Sequence, residues 1–305
     1  MPLPPRAAEG ADKGDTTVPT EDPSNYLPSG TQLAFLRDRA QFVRLETIRL
    51  IEIAKVGHYS SVFSAAEIFA ALYYDVMSLR EQDPAWPDRD RFLMGKGHAA
   101  VGLFPILADL GYIEPAVLDG YTRLGNPLGD HPDMRKVPGI DFSSGSIGHA
   151  LSAGYGMALG GRAQGRDFTT FVLLGDGEMQ EGQVWEAALA AAHYRTSRLV
   201  AIIDRNGFQL DGAVDDVIGI EPLDEKWRAF GWEVHVIDGH DLSALTGLLR
   251  RIKADTARTR PVCIIAKTLK GKGVSYMETE PGWHLGYLAP EDAERAMAEI
   301  RNKVI

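Results

Sequence analysis

Two wholly apolar runs in the middle of the chain indicate its architecture. Residues 171–174 and 199–203 carry only apolar side chains, and each run leads directly into a polar loop. Short runs that are apolar on both faces are typical of buried parallel strands. Residues 181–194, between the two runs, have helical composition. The pattern therefore predicts a strand–helix–strand unit whose polar loops follow the carboxyl ends of the strands, where open α/β sheets bind ligands.

The same periodicity predicts the remaining elements. Three further strands are expected over residues 91–94, 232–237 and 262–266. Helices are expected over residues 31–56, 64–77, 97–108, 147–163, 222–230 and 242–254, and from 290 onward. Ser64, followed three residues later by Glu67, predicts a capping box at the second of these helices. Strands that alternate with helices predict an α/β domain with a doubly wound, mostly parallel sheet flanked by helices.

Two segments lack this regular pattern. Residues 1–30 are rich in Pro, Gly and acidic residues, and we expect a tail that is disordered or becomes ordered only on a partner. Residues 31–305 are then expected to form the α/β domain. Residues 125–148 are polar and rich in Gly and Pro, and loops of this length inside a compact domain are usually functional.

Composition narrows the function classes. The 305 residues carry a net charge of −10, with one short basic cluster at residues 267–272, so nucleic acid is not an expected partner. The single cysteine, Cys263, excludes a disulfide framework and fits a reducing compartment. No apolar run reaches about 18 residues, so no membrane-spanning helix is expected. The first ten residues lack the apolar core of a signal peptide, and the cytoplasm is the expected location.

The most informative motifs are Gly175-Asp176-Gly177 after the first apolar run and Asp204-Arg205-Asn206 after the second. Mg²⁺ prefers about six hard oxygen ligands, usually few carboxylates together with phosphate oxygens and water. Asp176 offers an anionic oxygen, Asn206 an amide oxygen and Phe208 a backbone carbonyl. Gly177 lacks a Cβ, so its N–H can approach a phosphate closely at the start of a helix. The pair predicts a magnesium–diphosphate site; the alternative is two ordinary strand-to-loop turns in an unrelated α/β protein.

Further motifs extend this interpretation to a family. They are Ala54-Lys55-Val56-Gly57-His58, Gly95-Lys96-Gly97-His98-Ala99, Gly129-Asp130-His131-Pro132, Ser144-Gly145-Ser146-Ile147-Gly148-His149, the run from Gly175 to Gly182, and Lys270-Gly271-Lys272-Gly273-Val274-Ser275 with Trp283-His284. Across residues 35–300 the chain resembles the cofactor diphosphate-binding half of transketolases, specifically the N-terminal subunit of two-chain transketolases. The resemblance implies the thiamine diphosphate-binding α/β fold, with thiamine diphosphate and Mg²⁺ as cofactors. It also implies transfer of a two-carbon ketol unit from a ketose (phosphate) donor to an aldose (phosphate) acceptor.

The resemblance implies roles for individual residues as well. The metal ligands would be Asp176, Asn206 and the carbonyl of Phe208. The cofactor contacts would be His98, Gly145, Ile147, Gly177, Leu210 and His284. The groups around the reactive carbon and the substrate oxygens would be His58, His98, His131 and His284. Glu181, counted with these as catalytic, and Glu186 would belong to a carboxylate network that reaches the subunit interface.

A histidine cluster suits this reaction because imidazole titrates near neutral pH and can donate or accept protons at hydroxyl groups. His193, His235 and His240 match no motif of the family, and we interpret them as structural residues. His149 lies inside a matching motif and is interpreted only as adjacent to the cofactor. A histidine zinc site is disfavoured because the sequence has no close-spaced His/Cys pairs of the usual kind.

The chain ends where a full transketolase would be about half complete. In the family, the other domain supplies the glutamate that activates the cofactor's pyrimidine and the groups that hold a sugar phosphate. The sequence offers no candidate for that domain. We therefore expect a subunit that is active only with a separately encoded C-terminal, pyrimidine-binding partner, as an α₂β₂ heterotetramer acting on small sugars.

Two segments depart from the family pattern, and other functions stay open. His58 is followed by Tyr59-Ser60-Ser61 where small glycines are usual, and Leu285 separates Trp283-His284 from Gly286. One alternative is the α subunit of a 2-oxo acid dehydrogenase that delivers its two-carbon unit to a carrier protein; the histidines disfavour it. Another is a noncatalytic regulatory subunit, disfavoured by the intact metal and histidine motifs. A nicotinamide dehydrogenase is poorly supported because Gly95-Lys96-Gly97 continues to Ala100 in place of a third glycine.

Overall fold

The computed structural model describes residues 22–210, 212–278 and 280–302, and a parallel β-sheet forms its centre. The strands are β1 (Arg91–Met94), β2 (Thr170–Gly175), β3 (Leu199–Arg205), β4 (Phe208–Gln209), β5 (Gly212–Ala213), β6 (Glu233–Asp238) and β7 (Val262–Lys267). One sheet contains five of them in the order β1-β2-β3-β7-β6, and all its neighbouring pairs are parallel. β4 and β5 form a separate antiparallel hairpin directly after β3.

Helices cover both faces of the sheet. They are α1 (Gly30–Ala54), α2 (Tyr59–Phe63), α3 (Ala66–Ala71), α4 (Ala100–Asp109), α5 (Ala150–Ala163), α6 (Gly182–His193), α7 (Val214–Val217), α8 (Leu223–Ala229), α9 (Leu242–Ala254) and α10 (Pro290–Asn302). Apart from the segment discussed below, the predicted helices and strands are present, with ends shifted by up to three residues. None of the helices in the described part of the chain is long and apolar enough to cross a membrane.

Successive residues of β2 belong to two different hydrophobic clusters, one on each face of the sheet. Phe171 and Leu173 pack in a cluster with residues of α1, α3, α4, α9 and α10. Val172 and Leu174 pack in a second cluster with residues of α5, α6 and α8. Full burial of a side chain of this size stabilises the fold by about 1.5–3 kcal/mol. Because both faces are covered by helices, the prediction of a doubly wound, mostly parallel α/β sheet is confirmed.

The strand register brings the carboxyl ends of the strands to one edge. Gly175 of β2 pairs with Asp204 of β3, which in turn pairs with Ala266 of β7. The loops that carry Asp176 and Asn206 therefore leave the sheet side by side. This edge is where the predicted site residues of both motifs lie.

The prediction of one capped helix over residues 64–77 is wrong. The structure divides this region into α2, α3 and a single π-helical segment at Leu72–Val76, and Ala65 precedes α3 without a side-chain cap. Ser64 Oγ instead donates to Asp204 Oδ2 at 2.6 Å, and Glu67 binds Arg44 at 2.7 Å. Both side chains of the expected capping box are thus occupied by tertiary contacts.

Part of the predicted tail can be compared with the structure. Residues 1–21 lie outside the described residues. Pro23–Tyr26 is a short 3₁₀ helix; the Tyr26 carbonyl accepts a hydrogen bond from Arg250 at 3.3 Å, and Leu27 lies against Gly247 of α9. This stretch therefore packs on the domain, whereas the expectation up to residue 30 is a segment that is disordered or becomes ordered only on a partner.

Candidate active site

The residues predicted to hold a metal meet where β2 and β3 end. Asp176 is buried, and its two carboxylate oxygens have different partners. Oδ1 accepts a hydrogen bond from the N–H of Gly177 at 2.9 Å, whereas Oδ2 accepts from the N–H of Gly207 at 2.6 Å and from Arg205 at 3.0 Å. Burial, followed by the charge of Asp204, raises the pKa of Asp176 above its usual value.

Asn206 and Phe208 follow in the loop that leads into β4. The Asn206 Nδ2 donates to Asp204 Oδ2 at 3.2 Å, and its Oδ1 accepts from the Phe208 N–H at 3.0 Å. The bond between Asp176 and Gly207 places Asp176 next to Asn206, as the two motifs predict. Within residues 22–210, 212–278 and 280–302, no group of three or more His, Cys, Asp or Glu side chains could hold a metal ion.

Asp204 connects several loops of the site, and we did not predict this role from the sequence. It is fully buried; Oδ2 accepts from Ser64 and from the Lys96 ammonium group, and Oδ1 accepts from the Thr268 hydroxyl. Burial alone would raise the pKa of Asp204, but Lys96 and these hydrogen bonds hold it below its usual value. The loops after β1, β3 and β7 are therefore joined through one ionised carboxylate.

The structure brings the four predicted histidines together from distant parts of the sequence. The ring centroids of His58 and His98 are 4.8 Å apart, and each lies 5.2 Å from the ring centroid of His284. Asp130 links His131 to this cluster, because its two oxygens lie 3.4 Å from His58 Nδ1 and 3.3 Å from His131 Nδ1. We call His58, His98, His131 and His284 the histidine cluster.

Two members of the histidine cluster have strongly lowered pKa values. Burial, with the charge of Lys96 adding to it, lowers the pKa of His98 well below its usual value. Burial also lowers the pKa of His284 to about 3, and the charge of Lys270 contributes. Both imidazoles are therefore neutral near neutral pH, so each ring has one nitrogen that donates and one that accepts.

The residues predicted to contact the thiamine ring are Gly145, Ile147 and Leu210. A Cβ atom placed on Gly145 would lie 3.6 Å from a ring carbon of His131, and one placed on Gly97 would lie 3.1 Å from the Gly145 nitrogen. This close approach explains the glycine at position 97. Ile147 and Leu210 are 36% and 66% exposed, so both present apolar side chains toward solvent in the isolated chain.

Glu178 and Glu181 occupy opposite environments. Glu178 is buried and accepts hydrogen bonds from the N–H groups of Gly148 at 2.7 Å and Gly175 at 3.1 Å; burial raises its pKa to about 7. Its contacts were not predicted from the sequence, where the only signal is its place directly after the Gly-Asp-Gly triplet. Glu181, predicted as catalytic, is exposed at the start of α6, with its Cβ packed near Gly148.

The two segments that depart from the family pattern contact each other. Gly57 and Gly286 exchange two backbone hydrogen bonds, at 2.9 and 3.0 Å. The Tyr59 hydroxyl accepts a further bond from the N–H of Leu288 at 3.2 Å. These bonds join the segment that carries the first histidine of the cluster to the segment that carries the last. The two segments that depart from the family pattern are therefore hydrogen-bonded to each other.

The chain is similar to transketolases along most of its length. A family profile described as transketolase, thiamine diphosphate binding domain, matches residues 37–301. The chain is 39% identical over 259 residues to a subunit of the apulose-4-phosphate transketolase of Phocaeicola vulgatus, covering 84% of this chain and 91% of that protein. It is 38% identical over 268 residues to the 6-deoxy-6-sulfo-D-fructose transketolase subunit SqwG of a Clostridium species, covering 88% of this chain and 97% of that protein.

Longer transketolases share the fold. The structure of the Leishmania mexicana transketolase superimposes with a TM-score of 0.83 at 26% identity, covering 88% of this chain and 42% of that one. Human transketolase is 34% identical over 282 residues, covering 92% of this chain and 44% of that protein. The chain thus spans nearly the full length of the two subunits but less than half of these longer enzymes, which confirms the resemblance to an N-terminal subunit. The chain belongs to the transketolase family and carries its thiamine diphosphate-binding domain.

Proposed function

We propose that this chain is one subunit of an enzyme that moves a two-carbon ketol unit from a ketose donor to an aldose acceptor. The observation that carries the proposal is the histidine cluster, in which three ring centroids lie within 5.2 Å of one another beside the strand ends. Cleaving a ketose and rejoining its fragment to an aldose requires protons to move on and off hydroxyl groups. Neutral imidazoles can move them in both directions.

The residue types at the strand ends fit Mg²⁺ and a diphosphate. Asp176, Asn206 and the Phe208 carbonyl would offer one charged and two neutral oxygens, a set that leaves positions for phosphate oxygens and water. Asp204 is fully buried and bound by Lys96 and two hydroxyls. Asp176 lies next to Asn206 and would exchange part of its bonding to Arg205 and the Gly207 N–H for the metal. When bound, thiamine diphosphate supplies a nucleophilic carbon for addition to the ketose carbonyl.

Other residues would hold the rest of the cofactor. The Gly177 N–H opens the short 3₁₀ helix Gly177–Gln180 and donates to Asp176 Oδ1; it would exchange this bond for one to a phosphate oxygen. His98 and His284 would also donate to the diphosphate. Gly145, Ile147 and Leu210 would line the thiazolium ring, for which Gly145 gives close backbone access and the other two give apolar surface.

The position of Asp130 between His58 and His131 indicates how these two histidines would accept protons from the substrate. Its carboxylate lies near Nδ1 of both His58 and His131, at 3.4 and 3.3 Å. A neighbouring carboxylate favours the tautomer that carries the proton on Nδ1. Nε2 of each ring is then an acceptor for a substrate hydroxyl. We assign His58 and His131 to proton transfer at the substrate oxygens on this basis.

We further propose that a second subunit completes the site, as an α₂β₂ assembly. The surface that includes Glu181 and Glu186 supports this, because the same helix α6 exposes Leu189 at 60% and is followed by Tyr194 at 40%. Two relatives of similar length are named as transketolase subunits, with apulose 4-phosphate and 6-deoxy-6-sulfofructose in their names. The partner would supply the pyrimidine-side groups and the groups that hold an anionic sugar.

A donor screen with the co-purified partner tests the reaction class. A ketose phosphate with an aldose acceptor is compared with pyruvate and a lipoyl acceptor, both with thiamine diphosphate and Mg²⁺. We expect ketol transfer and no acyl transfer to the lipoyl group. Turnover of pyruvate alone would favour the 2-oxo acid dehydrogenase α subunit, and cofactor binding without turnover of either donor would favour a noncatalytic subunit. Asp176→Ala is the matched inactive control.

A further inference from the structure

A hydrogen-bonded chain that is buried at Arg44 and Glu67 and half-buried at His240 and Leu269 connects the first helix to the active-site edge of the sheet. Arg44 of α1 contacts both carboxylate oxygens of Glu67, at 2.7 and 2.8 Å, and both residues are almost completely buried. Glu67 Oε2 also lies 2.9 Å from His240 Nδ1. His240 Nε2 accepts a hydrogen bond from the backbone N–H of Leu269 at 2.9 Å. We call Arg44, Glu67, His240 and the Leu269 amide the buried relay.

The geometry fixes the tautomer of His240. A backbone N–H can only donate, so Nε2 must present its lone pair to Leu269. The ring proton of the neutral imidazole is then on Nδ1, where it donates to Glu67. Burial alone would raise the pKa of Glu67, but the charge of Arg44 and the hydrogen bond from His240 lower it to about 2, which keeps the accepting carboxylate ionised.

The segment held by His240 is part of the active-site edge. Thr268 donates to Asp204, and the Gly271 N–H donates to the Ser60 carbonyl at 3.4 Å. Between them, Lys270 is buried; it donates to the Leu210 carbonyl at 3.1 Å and lowers the pKa of the neighbouring His284. Lys270 is therefore a buried cation beside His284, and a displacement of Leu269 would shift it.

We propose that His240 is a positioning residue for this site. It binds the Arg44–Glu67 pair through Nδ1 and holds the Leu269 amide through Nε2. Lys270 is thereby fixed beside His284 and Leu210, where a positive charge favours an anionic ligand. The effect on cofactor affinity rests on the proposed function, whereas the effect on the Leu269 amide does not. The sequence alone gives His240 no role, because this residue lies in no motif of the family.

Two substitutions distinguish the hydrogen bond made by Nδ1 of His240 from the one made by Nε2. In His240→Gln, the longer side chain reaches the Nε2 position, and its amide oxygen can still accept from Leu269. In His240→Asn, the shorter side chain reaches only the Nδ1 position and can donate to Glu67, so the bond to Leu269 is lost. Both variants are neutral and polar, and their melting temperatures serve to show that the fold is retained.

The first readout needs no cofactor. Amide hydrogen exchange of Leu269 in the full-length chain reports the bond to Nε2 directly. We expect exchange to accelerate about five- to tenfold in His240→Asn and to stay within about twofold of the native chain in His240→Gln, as loss of one hydrogen bond implies. Equal protection in both variants, or equal loss in both, overturns the proposal.

The second readout is the dissociation constant of thiamine diphosphate with Mg²⁺, measured by calorimetry in the presence of the partner. We expect affinity to fall about five- to tenfold in His240→Asn and to be retained in His240→Gln. Unchanged affinity in His240→Asn, despite faster exchange at Leu269, overturns the link to the cofactor. If the native chain binds no thiamine diphosphate, the proposed function fails, and the exchange result still decides the role of His240 at Leu269.

A third measurement avoids substitution. Nitrogen-15 NMR of histidine-labelled native chain distinguishes a ring nitrogen that carries a proton from one that does not. We expect a proton on Nδ1 of His240 and none on Nε2. A proton on Nε2 contradicts the buried relay, since Leu269 could not then donate to that nitrogen.

Discussion

The buried relay makes acid stability a quantitative test of the structure. The side chains of Arg44 and Glu67 are 0% and 2% exposed, so replacing Glu67 by glutamine leaves a buried guanidinium without its counter-charge. Removing one partner of such a pair costs about 3–5 kcal/mol. Glu67→Gln should therefore lower the free energy of unfolding by that amount near pH 7. The variant should remain folded if the native chain has the usual stability of about 5–15 kcal/mol.

The pH dependence of this loss follows from the pKa of Glu67. The pKa is lowered from 4.5 to about 2 on folding, so its ionised form stabilises the native state above the unfolded pKa. That contribution is about 3 kcal/mol and disappears as the pH falls through the folded pKa. By about pH 3 the native chain should already have lost about 2 kcal/mol of it. Because the glutamine in the variant does not titrate, the difference between the two proteins should shrink by that amount.

Urea unfolding followed by circular dichroism, from pH 7 down to about pH 3, measures this difference. Other carboxylates titrate in both proteins and cancel in the comparison. Glu46→Gln is the matched control, because Glu46 pairs with Arg49 at the surface and should contribute less than about 1 kcal/mol with little pH dependence. A destabilisation by Glu67→Gln that is below about 1 kcal/mol, or that stays constant with pH, would refute the reasoning.

Three further predictions concern the site itself. Asp176→Asn should weaken Mg²⁺-dependent binding of thiamine diphosphate at least about tenfold by calorimetry with the partner present, because a neutral amide replaces the charged oxygen; unchanged affinity would count against Asp176 as a ligand. Gly97→Ala should reduce cofactor affinity about tenfold, because its methyl group would lie 3.1 Å from the Gly145 nitrogen. Gly156→Ala is the control: its methyl group would meet no atom within 4 Å, and cofactor affinity should not change. His284, whose pKa is lowered to about 3 by burial and Lys270, should show no titration by NMR between about pH 8 and pH 5 in the cofactor-free chain. A midpoint near 6.5 would show that the imidazole is solvated.

The strands can be predicted because their signal is local. The predicted bounds of β1 match the observed ones, and those of β2 and β3 agree within two residues. A short, continuous apolar run bounded by polar loops is typical of a buried parallel strand, so the run itself marks the bounds. The capping box at Ser64 and Glu67 fails for the opposite reason. Its pattern is local, but Ser64 is bound by Asp204, 140 positions away, and Glu67 by Arg44 in another helix. A single sequence gives no sign of these partners.

The site is predictable where spacing and chemistry coincide. The four histidines and the Asp176–Asn206 pair can be identified because each lies beside glycines in a loop, and the structure places them at one edge of the sheet. Asp204, Glu178 and Lys96 escape prediction as connecting residues because their roles come from burial, which is decided by the packing of distant segments. The roles of the site residues as ligands or proton carriers are still predictions that need the measurements above.

Partner dependence is the central claim, and one assay tests it most directly. Ketol transfer between a ketose phosphate and an aldose phosphate is measured with thiamine diphosphate and Mg²⁺, first with the purified chain and then after addition of the purified pyrimidine-binding partner. The account predicts no turnover by the chain alone and turnover that rises with added partner until the two are equimolar. Appreciable turnover by the chain alone would contradict it.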